Sequence, residues 1–477
     1  MSLGELVLAV LEINALIVIV LLIREERDPS TTLAWAFALL LLPVVGVVAY
    51  LLLGMNWRGV GGRDPVRLEA KASGEAAIRP LYERHADDAS AAIASRPPLV
   101  RRLSIAITRQ CATMPLPCEN LEVFTGGGPK FDRLFEDVSA ARESVHLQYF
   151  IWEEDELSGR LCDLLAEKVA QGVEVRVLYD WVGSLVYGKG QLRKLRAAGA
   201  LVRTDRPHLR WLNYRDHRKI AVVDGRIGYT GGLNVGQEYV DGGRRFATWR
   251  DTHCRFTGPL VAEMQRTFVT RWYRLSGERL FSARYFPELE IEGGRPVWAQ
   301  LAHSGPESEW QAVRNAFLLC IAGAERRLWI QSPYFVPDEA IMEALNVQSL
   351  AGVDLRFMMA GVPDKRSAWY AAFSYIDDLL HAGGRMLQYS AGFFHPKTIT
   401  VDSHLAVIGT TNFDIRSFAL HDEMSVFFFD EDAASTLERM FEEDSAHCHE
   451  IDDSYYERMS PAERYRNAVM RLWSRLL

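Results

Sequence analysis

The chain has 477 residues, of which 48% are hydrophobic and 24% are charged, so extended disorder is excluded and more than one domain is expected. The 62 acidic residues outnumber the 54 Lys and Arg residues, and the formal net charge of -8 argues against a surface built to coat nucleic acid. Six cysteines are too sparse for a disulfide scaffold, and the absence of a Cys-x-x-Cys pair argues against a zinc site, so free thiols are favoured.

The first 55 residues are far more apolar than the rest and predict a transmembrane helical hairpin. Leu33–Leu53 is a run of 21 residues without a charge, and such a run extends roughly 31 Å as a helix. Leu3–Ile23 is a second apolar segment, although Glu12 near its middle is costly in lipid, and a buried soluble helix is the alternative interpretation. The basic residues after the second segment place the rest of the chain in the cytoplasm.

The remaining chain begins with a connector of residues 56–110, for which we expect partly helical structure. It then alternates between predicted strands and helices, in the order Val145–Ile151, Gly159–Gln171 and Gly172–Asp180. The same order recurs about 180 residues later, at Leu328–Val336, Ala340–Ala351 and Gly352–Ala360. This pattern predicts an α/β fold with parallel neighbouring strands, duplicated into two similar lobes over residues 111–290 and 291–477.

Each half contains one copy of the motif His-x-Lys-x4-Asp. Its residues are His217, Lys219 and Asp224 in the first half and His395, Lys397 and Asp402 in the second. Each copy is followed at the same distance by an amide side chain, Asn234 or Asn412. Because a His and a Lys two residues apart on a strand point to the same side, two lobes packed face to face would bring two imidazoles and two ammonium groups into one cleft.

Such a cleft suits a phosphodiester substrate. Ammonium and amide groups bind the non-bridging oxygens and stabilise developing charge. One imidazole can attack phosphorus while the other protonates the leaving alkoxide, so the chemistry requires no metal and no cofactor. His447, Cys448 and His449 are adjacent potential metal ligands, but no other cluster completes a ligand set for them. Taken alone, each motif is also compatible with an ordinary strand whose His and Lys face solvent.

The paired motifs resemble those of the phospholipase D superfamily, and the whole chain resembles the membrane-anchored bacterial cardiolipin synthases. The resemblance is carried by the segments 27–35, 213–220, 231–239, 249–253, 332–338 and 412–418. One departure is Pro396 between His395 and Lys397, where the family pattern leads us to expect Ala. The missing N–H of a proline is tolerated at a strand start.

The resemblance implies a fold and a reaction. Behind the hairpin of residues 1–55, two phospholipase D-like α/β/α lobes would pack with pseudo-two-fold symmetry. The chain would be a phosphatidyltransferase of the inner membrane that acts on two phosphatidylglycerol molecules. The first would be attacked at phosphorus and lose glycerol, and the hydroxyl of the second would resolve the phosphatidyl-histidine to give cardiolipin. Phosphatidylethanolamine is a further candidate for one of the two lipids.

The resemblance also implies roles for individual residues. His217 would be the nucleophile, and His395 would act first as an acid and then as a base. The phosphate would be held by four side chains, Lys219, Lys397, Asn234 and Asn412. Asp251 and Glu423 would orient the two imidazoles. Asp224 and Asp402 would either take part in catalysis or brace the ends of their strands.

Three other functions are considered. A phospholipase D would resolve the same intermediate with water and release phosphatidic acid. A nuclease of the superfamily is disfavoured by the apolar N-terminal segment and the acidic balance, because a polyphosphate chain favours a basic face. A non-enzymatic membrane scaffold would not need two intact motifs. The sequence makes no prediction of the oligomeric state.

Overall fold

The computed structural model describes residues 64–204, 213–293 and 295–472, together with residues 11, 14–16, 20, 29–42, 45, 46 and 50. The chain divides into two units. The smaller unit consists of Met1–Arg63 and Pro207–Tyr214, and the larger consists of Asp64–Arg206 and Arg215–Leu477.

The described part of the smaller unit centres on one short helix, α1 (Pro29–Leu41). It ends two residues before Pro43, as a proline requires when its ring cannot enter a helix interior. The rings of Trp35 and Tyr50 lie 5.3 Å apart in an edge-to-face contact, whereas fifteen residues of straight helix would separate them by roughly 22 Å. The prediction of one unbroken helix over Leu33–Leu53 is therefore wrong.

A hydrogen bond of 3.4 Å from Asn14 Nδ2 to the carbonyl of Leu39 joins the two predicted apolar segments. Leu33, Phe37 and Leu41 on α1 are between 58% and 76% exposed. Of the helices that the described residues form, none is both long enough and apolar enough to cross a membrane. The rest of Leu3–Ile23, including Glu12, lies outside the described residues.

The larger unit begins with two helices, α2 (Pro65–Ala94) and α3 (Pro98–Cys111). They occupy most of the predicted connector, and the first packs on a helix of the first lobe, where a Cβ on Gly74 would meet the side chain of Thr270. The apolar side of α3 is buried in the second-lobe core, where Leu103 and Ile107 pack with Phe317. Residues 98–110 therefore belong structurally to the second lobe.

The first lobe contains nine strands and five helices among the described residues. The strands are β1 (Leu116–Phe124), β2 (Ser144–Tyr149), β3 (Glu174–Tyr179), β4 (Leu201–Thr204), β5 (Arg215–Asp216), β6 (Ile220–Val223), β7 (Ile227–Gly231), β8 (Trp249–Arg250) and β9 (His253–Thr257). The helices are α4 (Gly127–Ala140), α5 (Glu156–Ala170), α6 (Gly190–Ala197), α7 (Glu238–Asp241) and α8 (Val261–Ser276).

The second lobe repeats this order. Its strands are β10 (Val297–Ser304), β11 (Arg327–Gln331), β12 (Asp354–Ala360), β13 (Arg385–Tyr389), β14 (Phe393–Phe394), β15 (Thr398–Val401), β16 (Leu405–Gly409), β17 (His421–Phe428) and β18 (Cys448–Ile451). Its helices are α9 (Ala312–Ala322), α10 (Glu339–Leu350), α11 (Arg366–His381), α12 (Ile415–Ala419), α13 (Glu431–Ser445), α14 (Asp453–Arg458) and α15 (Pro461–Leu472).

The predicted strand–helix–strand repeats are confirmed as β2–α5–β3 and β11–α10–β12. Equivalent signals bound the two helices. Asp155 and Asp338 cap their first turns, and Gly172 and Gly352 follow them with the same left-handed φ of 90°. A residue without a Cβ adopts that conformation readily, so each glycine turns its helix into the next strand.

One sheet runs through both lobes. Its order is β4-β3-β2-β6-β7-β9-β1 in the first lobe and then β10-β17-β16-β15-β11-β12-β13-β18 in the second. The pairs β2–β3 and β11–β12 are parallel, as predicted. The lobes meet where β1 and β10 pair in antiparallel register, with Leu116 opposite Ala299. The strand order of one lobe is therefore mirrored in the other across this junction.

Candidate active site

A cleft of about 520 Å³ is lined by residues of both lobes, and both motif histidines lie in its wall. His217 follows β5 and His395 follows β14. Each of these short strands pairs in parallel with a strand of the opposite lobe, β5 with β17 and β14 with β8. The backbone N–H of His217 donates to the carbonyl of Asp422 at 2.9 Å, and that of His395 donates to the carbonyl of Arg250 at 2.8 Å. Each lobe therefore fixes the backbone of the other lobe's histidine.

The side chains of the two histidines are paired across the lobes in the same way. Nδ1 of His217 lies 2.9 Å from Oε1 of Glu423, and Nδ1 of His395 lies 2.7 Å from Oδ2 of Asp251. Both carboxylates are fully buried. A carboxylate at Nδ1 fixes the ring orientation and leaves Nε2 as the atom available for chemistry. The sequence pointed to Asp251 and Glu423, and the structure adds that each acts on the histidine of the opposite lobe.

Both motif lysines are buried beside their histidines. Nζ of Lys219 donates to the carbonyl of His217 at 2.6 Å, and Nζ of Lys397 donates to the carbonyl of His395 at 2.5 Å. Burial lowers the pKa of Lys219 to about 7 and that of Lys397 to about 8, while Glu423 and Asp251 oppose the shift in both lysines. Since an ammonium group has three N–H donors, each lysine keeps donors for an anionic ligand.

The two imidazoles are held in their neutral form. Burial lowers the pKa of His217 well below its usual value, and the neighbouring Lys219 and Lys397 lower it further. Burial followed by Lys397 lowers the pKa of His395 to about 4, and Asp251 opposes this shift. Burial alone would raise the pKa of Asp251, but Lys397 and the interaction with His395 lower it overall. A neutral imidazole has the free lone pair that a nucleophile or base needs.

The two predicted amides also line the cleft. Oδ1 of Asn234 accepts the backbone N–H of Ile151 at 3.1 Å, and its Nδ2 lies 3.3 Å from the hydroxyl of Tyr239. This fixes the amide with its N–H groups on the cleft side of the first lobe. Asn412 is buried, and its Oδ1 has no hydrogen-bond partner among the described residues.

The two motif aspartates are engaged elsewhere. The carboxylate of Asp224 accepts three backbone N–H groups, from residues 142, 143 and 144, at 2.8–2.9 Å. Asp402 does the same with residues 325, 326 and 327, also at 2.8–2.9 Å. Both stand seven residues beyond the motif histidine, roughly 20 Å along an extended strand. These contacts brace the starts of β2 and β11, which is one of the two roles expected for the two aspartates.

The sequence reasoning missed a third histidine. His421 lines the cleft, and its ring centroid lies 5.7 Å from that of His217. Burial lowers its pKa to about 3, although Glu423 opposes the shift. A period of two places His421 and Glu423 on the same side of β17, so the spacing that identified the motif pair also carried this signal.

One group of potential metal ligands occurs in the cleft. The ligand atoms of His217, His421 and Glu423 all lie within 4.8 Å of one another. His217 and Glu423 already form the His–carboxylate hydrogen bond through Nδ1. An ion that used Nδ1 of His217 and the carboxylate of Glu423 would displace that hydrogen bond.

Comparison with known protein families identifies relatives of the whole chain. The family model described as cardiolipin synthase, PLD-like domain, matches residues 134–272 and 317–445. A second model, described as phospholipase D-nuclease N-terminal, matches residues 13–54. The two matches to the first model cover the duplicated halves and include both motifs.

Individual relatives match over nearly the full length. The chain is 36% identical over 489 residues to the major cardiolipin synthase ClsA of Bacillus subtilis, with 100% of both chains covered. It is 37% identical over 462 residues to the cardiolipin synthase of Geobacillus kaustophilus, covering 95% of this chain and 90% of that protein. The solved phosphatidylserine synthase of Haemophilus influenzae shares the fold, with a TM-score of 0.59 and 14% identity over 79% of this chain and 98% of that one.

Proposed function

The chain belongs to the family of cardiolipin synthases with phospholipase D-like domains, and from this premise we propose that it transfers a phosphatidyl group from one phosphatidylglycerol to another. Glycerol is released and cardiolipin is formed. The observation that carries the proposal is the crossed pairing of His217 with Glu423 and His395 with Asp251 in one cleft with two buried lysines. This set contains a nucleophile, an acid–base group and cations for a phosphate.

In the first half-reaction, Nε2 of His217 attacks the phosphorus of the donor lipid. A P–N bond forms, and the bond from phosphorus to the glycerol oxygen breaks. Nε2 of His395 gives its proton to that oxygen, so free glycerol leaves and a phosphatidyl-histidine remains. Lys219 and Lys397, with Asn234 and Asn412, hold the non-bridging oxygens as negative charge develops on them.

The second half-reaction reverses these roles. Nε2 of His395, now neutral, takes the proton from a glycerol hydroxyl of the second phosphatidylglycerol. The hydroxyl oxygen attacks phosphorus, the P–N bond to His217 breaks, and cardiolipin is released. Water attacking in place of this hydroxyl would give phosphatidic acid, so the cleft must favour the lipid hydroxyl over water.

The electrostatics of the cleft support this division of roles between the two histidines. Asp251 raises the pKa of His395 against burial and Lys397, so His395 has a carboxylate that favours its protonated form. The pKa of His217 is lowered by burial and by both lysines. An anionic phosphodiester would offset the positive charge of the lysines and raise the His395 pKa on binding. The general acid would then be charged when the substrate is in place.

We also propose that the apolar N-terminal segment, residues 1–55, anchors the protein in the bacterial inner membrane as a multi-pass element, with both lobes in the cytoplasm. The support is its composition and the exposed apolar side chains of α1. We further propose that the boundary between the two lobes lies between residues 290 and 291, and that α3 packs on the second lobe. After an alkaline wash, membranes should retain the full chain and release a variant that lacks residues 1–55. Retention of that variant would contradict the anchor.

The decisive experiment is a product analysis in mixed micelles. The full chain receives phosphatidylglycerol labelled in the headgroup glycerol, and lipids and water-soluble products are followed together. One free glycerol per cardiolipin establishes transfer between two lipids, whereas phosphatidic acid with free glycerol and no cardiolipin identifies a hydrolase. A second reaction with added phosphatidylethanolamine tests whether it replaces one phosphatidylglycerol. His217→Ala is the control that must release no glycerol.

A further inference from the structure

A second cavity lies on the opposite face of the strands that carry the catalytic residues. It has a volume of about 250 Å³. Arg215 and His217 line the catalytic cleft, whereas Arg218 lines the second cavity. On β17, His421 lines the cleft and Asp422 lines the second cavity. Because successive strand residues point to opposite sides, the two cavities are separated by the thickness of these strands.

The walls of the second cavity are cationic. They contain seven basic side chains, Arg67, Lys71, Arg109, Arg218, Arg266, Arg271 and Arg274, and four carboxylates, Glu75, Glu307, Glu309 and Asp422. Two carboxylates outside the wall pair with three of the arginines: Asp216 with Arg218 and Arg271, and Glu263 with Arg266. The basic groups therefore remain in excess after every one of these carboxylates has been counted.

Within the cavity, single carboxylates are each shared by two arginines. Glu307 lies against both Arg67 and Arg274, at 3.6 and 2.7 Å. Asp422 stands 3.9 Å from both Arg218 and Arg271, which is beyond hydrogen-bond distance. The surplus positive charge also acts on titratable groups: the pKa of Arg274 is lowered by burial and then by Arg271, and that of His303 is lowered to about 3 by burial and then by Arg266.

An apolar groove continues from this cavity. Its volume is about 700 Å³, and it shares Arg109, Gln110 and Trp310 with the cavity as wall residues. The remaining wall is mainly apolar and includes Ile105 and Leu319. Ile105 is 53% exposed and Trp310 is 52% exposed, so the groove opens to the surroundings of the protein. A cationic cavity that leads into an exposed apolar groove matches an amphiphile with an anionic head.

We propose that this cavity and groove bind one anionic phospholipid at a site separate from the catalytic cleft. The phosphate lies among Arg67, Arg271 and Arg274, where guanidinium groups form charge-assisted hydrogen bonds to phosphate oxygens. One acyl chain lies along Ile105, Trp310 and Leu319. The proposal concerns binding and does not depend on the transfer reaction, so it can fail while the proposed function holds.

The test follows the fluorescence of Trp310 in the full chain, in non-ionic detergent micelles. Phosphatidylglycerol with dibrominated acyl chains is the probe, and phosphatidylcholine with the same chains is the zwitterionic reference. The chain contains 12 tryptophans, so quenching is measured for the wild type and for Trp310→Phe, and the difference isolates the groove from the cleft. We expect the difference signal to saturate with the phosphatidylglycerol probe at a concentration well below that needed for phosphatidylcholine.

The variants Arg67→Gln and Arg274→Gln test the cationic cavity. Each should weaken the Trp310-dependent quenching by about tenfold, the loss expected for one charge-assisted hydrogen bond. Arg439→Gln, an exposed arginine on α13 that pairs with Glu443, removes the same charge elsewhere and should leave quenching unchanged. Thermal unfolding of each variant identifies any that fail to fold. If one of the two arginine variants does not fold, the other is used for the comparison.

Three outcomes would overturn the proposal. Equal quenching by the two lipids would mean that the cavity does not distinguish an anionic headgroup from a zwitterionic one. Unchanged quenching in both arginine variants would place the phosphate elsewhere. Stabilisation of the wild type by inorganic phosphate, lost in Arg274→Gln and unaccompanied by lipid quenching, would identify a site for free anions and not for a lipid.

Discussion

Asp251 of the first lobe holds the imidazole of His395 of the second lobe, with 2.7 Å between Oδ2 and Nδ1. The reciprocal bond joins Glu423 of the second lobe to His217 of the first at 2.9 Å. Each lobe thus contributes its histidine to one pair and its carboxylate to the other. Docking of the lobes and orientation of the imidazoles are consequently a single event, and the two pairs cannot be assembled independently.

The assignment of nucleophile and acid predicts different behaviour for the two histidine variants. His217→Ala should abolish turnover and the covalent attachment of labelled lipid to protein, because no P–N bond can form. His395→Ala should slow turnover by about a hundredfold or more, the usual effect of losing a general acid, yet should still accumulate adduct from a lipid with a good leaving group such as p-nitrophenol. Equal attachment of lipid to His217→Ala would show that the nucleophile is another residue.

Asp251→Asn should weaken His395 as a general acid while its imidazole stays in place. An amide at this position no longer raises the pKa of His395, so protonation of His395 requires a lower pH. We expect the rate with phosphatidylglycerol to fall and the alkaline limb of its pH profile, which reports deprotonation of the acid, to move to lower pH. A p-nitrophenyl lipid, which needs no acid, should be turned over at nearly the wild-type rate. Glu423→Gln is the matched comparison and should not be rescued by that substrate.

The lysines predict how substrate affinity depends on pH. Lys219 and Lys397 have pKa values of about 7 and about 8, so they are protonated in mild acid and lose charge as the pH rises through this range. The phosphodiester binds the protonated form, and KM for phosphatidylglycerol should therefore rise between pH 7 and pH 9. Lys397→Arg, whose guanidinium stays charged, should flatten that rise. A KM that is independent of pH in the wild type would argue against phosphate binding by these lysines.

Asp224→Asn and Asp402→Asn separate bracing from catalysis. Both positions have a left-handed φ, 53° and 49°, which Asn tolerates nearly as well as Asp. Each substitution removes an acceptor for backbone N–H groups that are bonded to a charged carboxylate, and should cost about 1–3 kcal/mol of unfolding free energy. Thermal unfolding should register this loss, while kcat of the folded protein stays near the wild-type value. A variant of unchanged stability but much lower kcat would support the catalytic interpretation.

Much of this arrangement was accessible from the sequence because it depends on short-range periodicity. The duplicated strand–helix–strand pattern predicted β2–α5–β3 and its repeat, and the spacing of His217 and Lys219 placed both on one side of a strand. Asp251 and Glu423 were found through the family resemblance. Which histidine each one contacts depends on how the lobes face one another, and that relationship has no local signal in the chain.

Other features escaped for different physical reasons. The helix ends at Leu41, close to Pro43, but transmembrane helices tolerate a proline better than soluble ones do, so the apolar run still predicted one helix. The second-lobe position of α3 is set by burial against α9, which lies some 200 residues later in the chain. His421 carried a usable signal, since it stands two residues before Glu423 on the same strand. It lies outside both His-x-Lys-x4-Asp motifs, so the motif pattern alone does not identify it.

The sheet that passes through the β1–β10 junction has a consequence for biosynthesis. His217 is synthesised about 200 residues before Glu423, so the nascent first lobe carries a reactive imidazole without its orienting carboxylate. We therefore expect the emerging chain to be inactive in phosphatidyl transfer until the second lobe has folded and docked. Truncated translation products would share this inactivity, and the membrane would be protected from stray phosphatidyl transfer by incomplete chains.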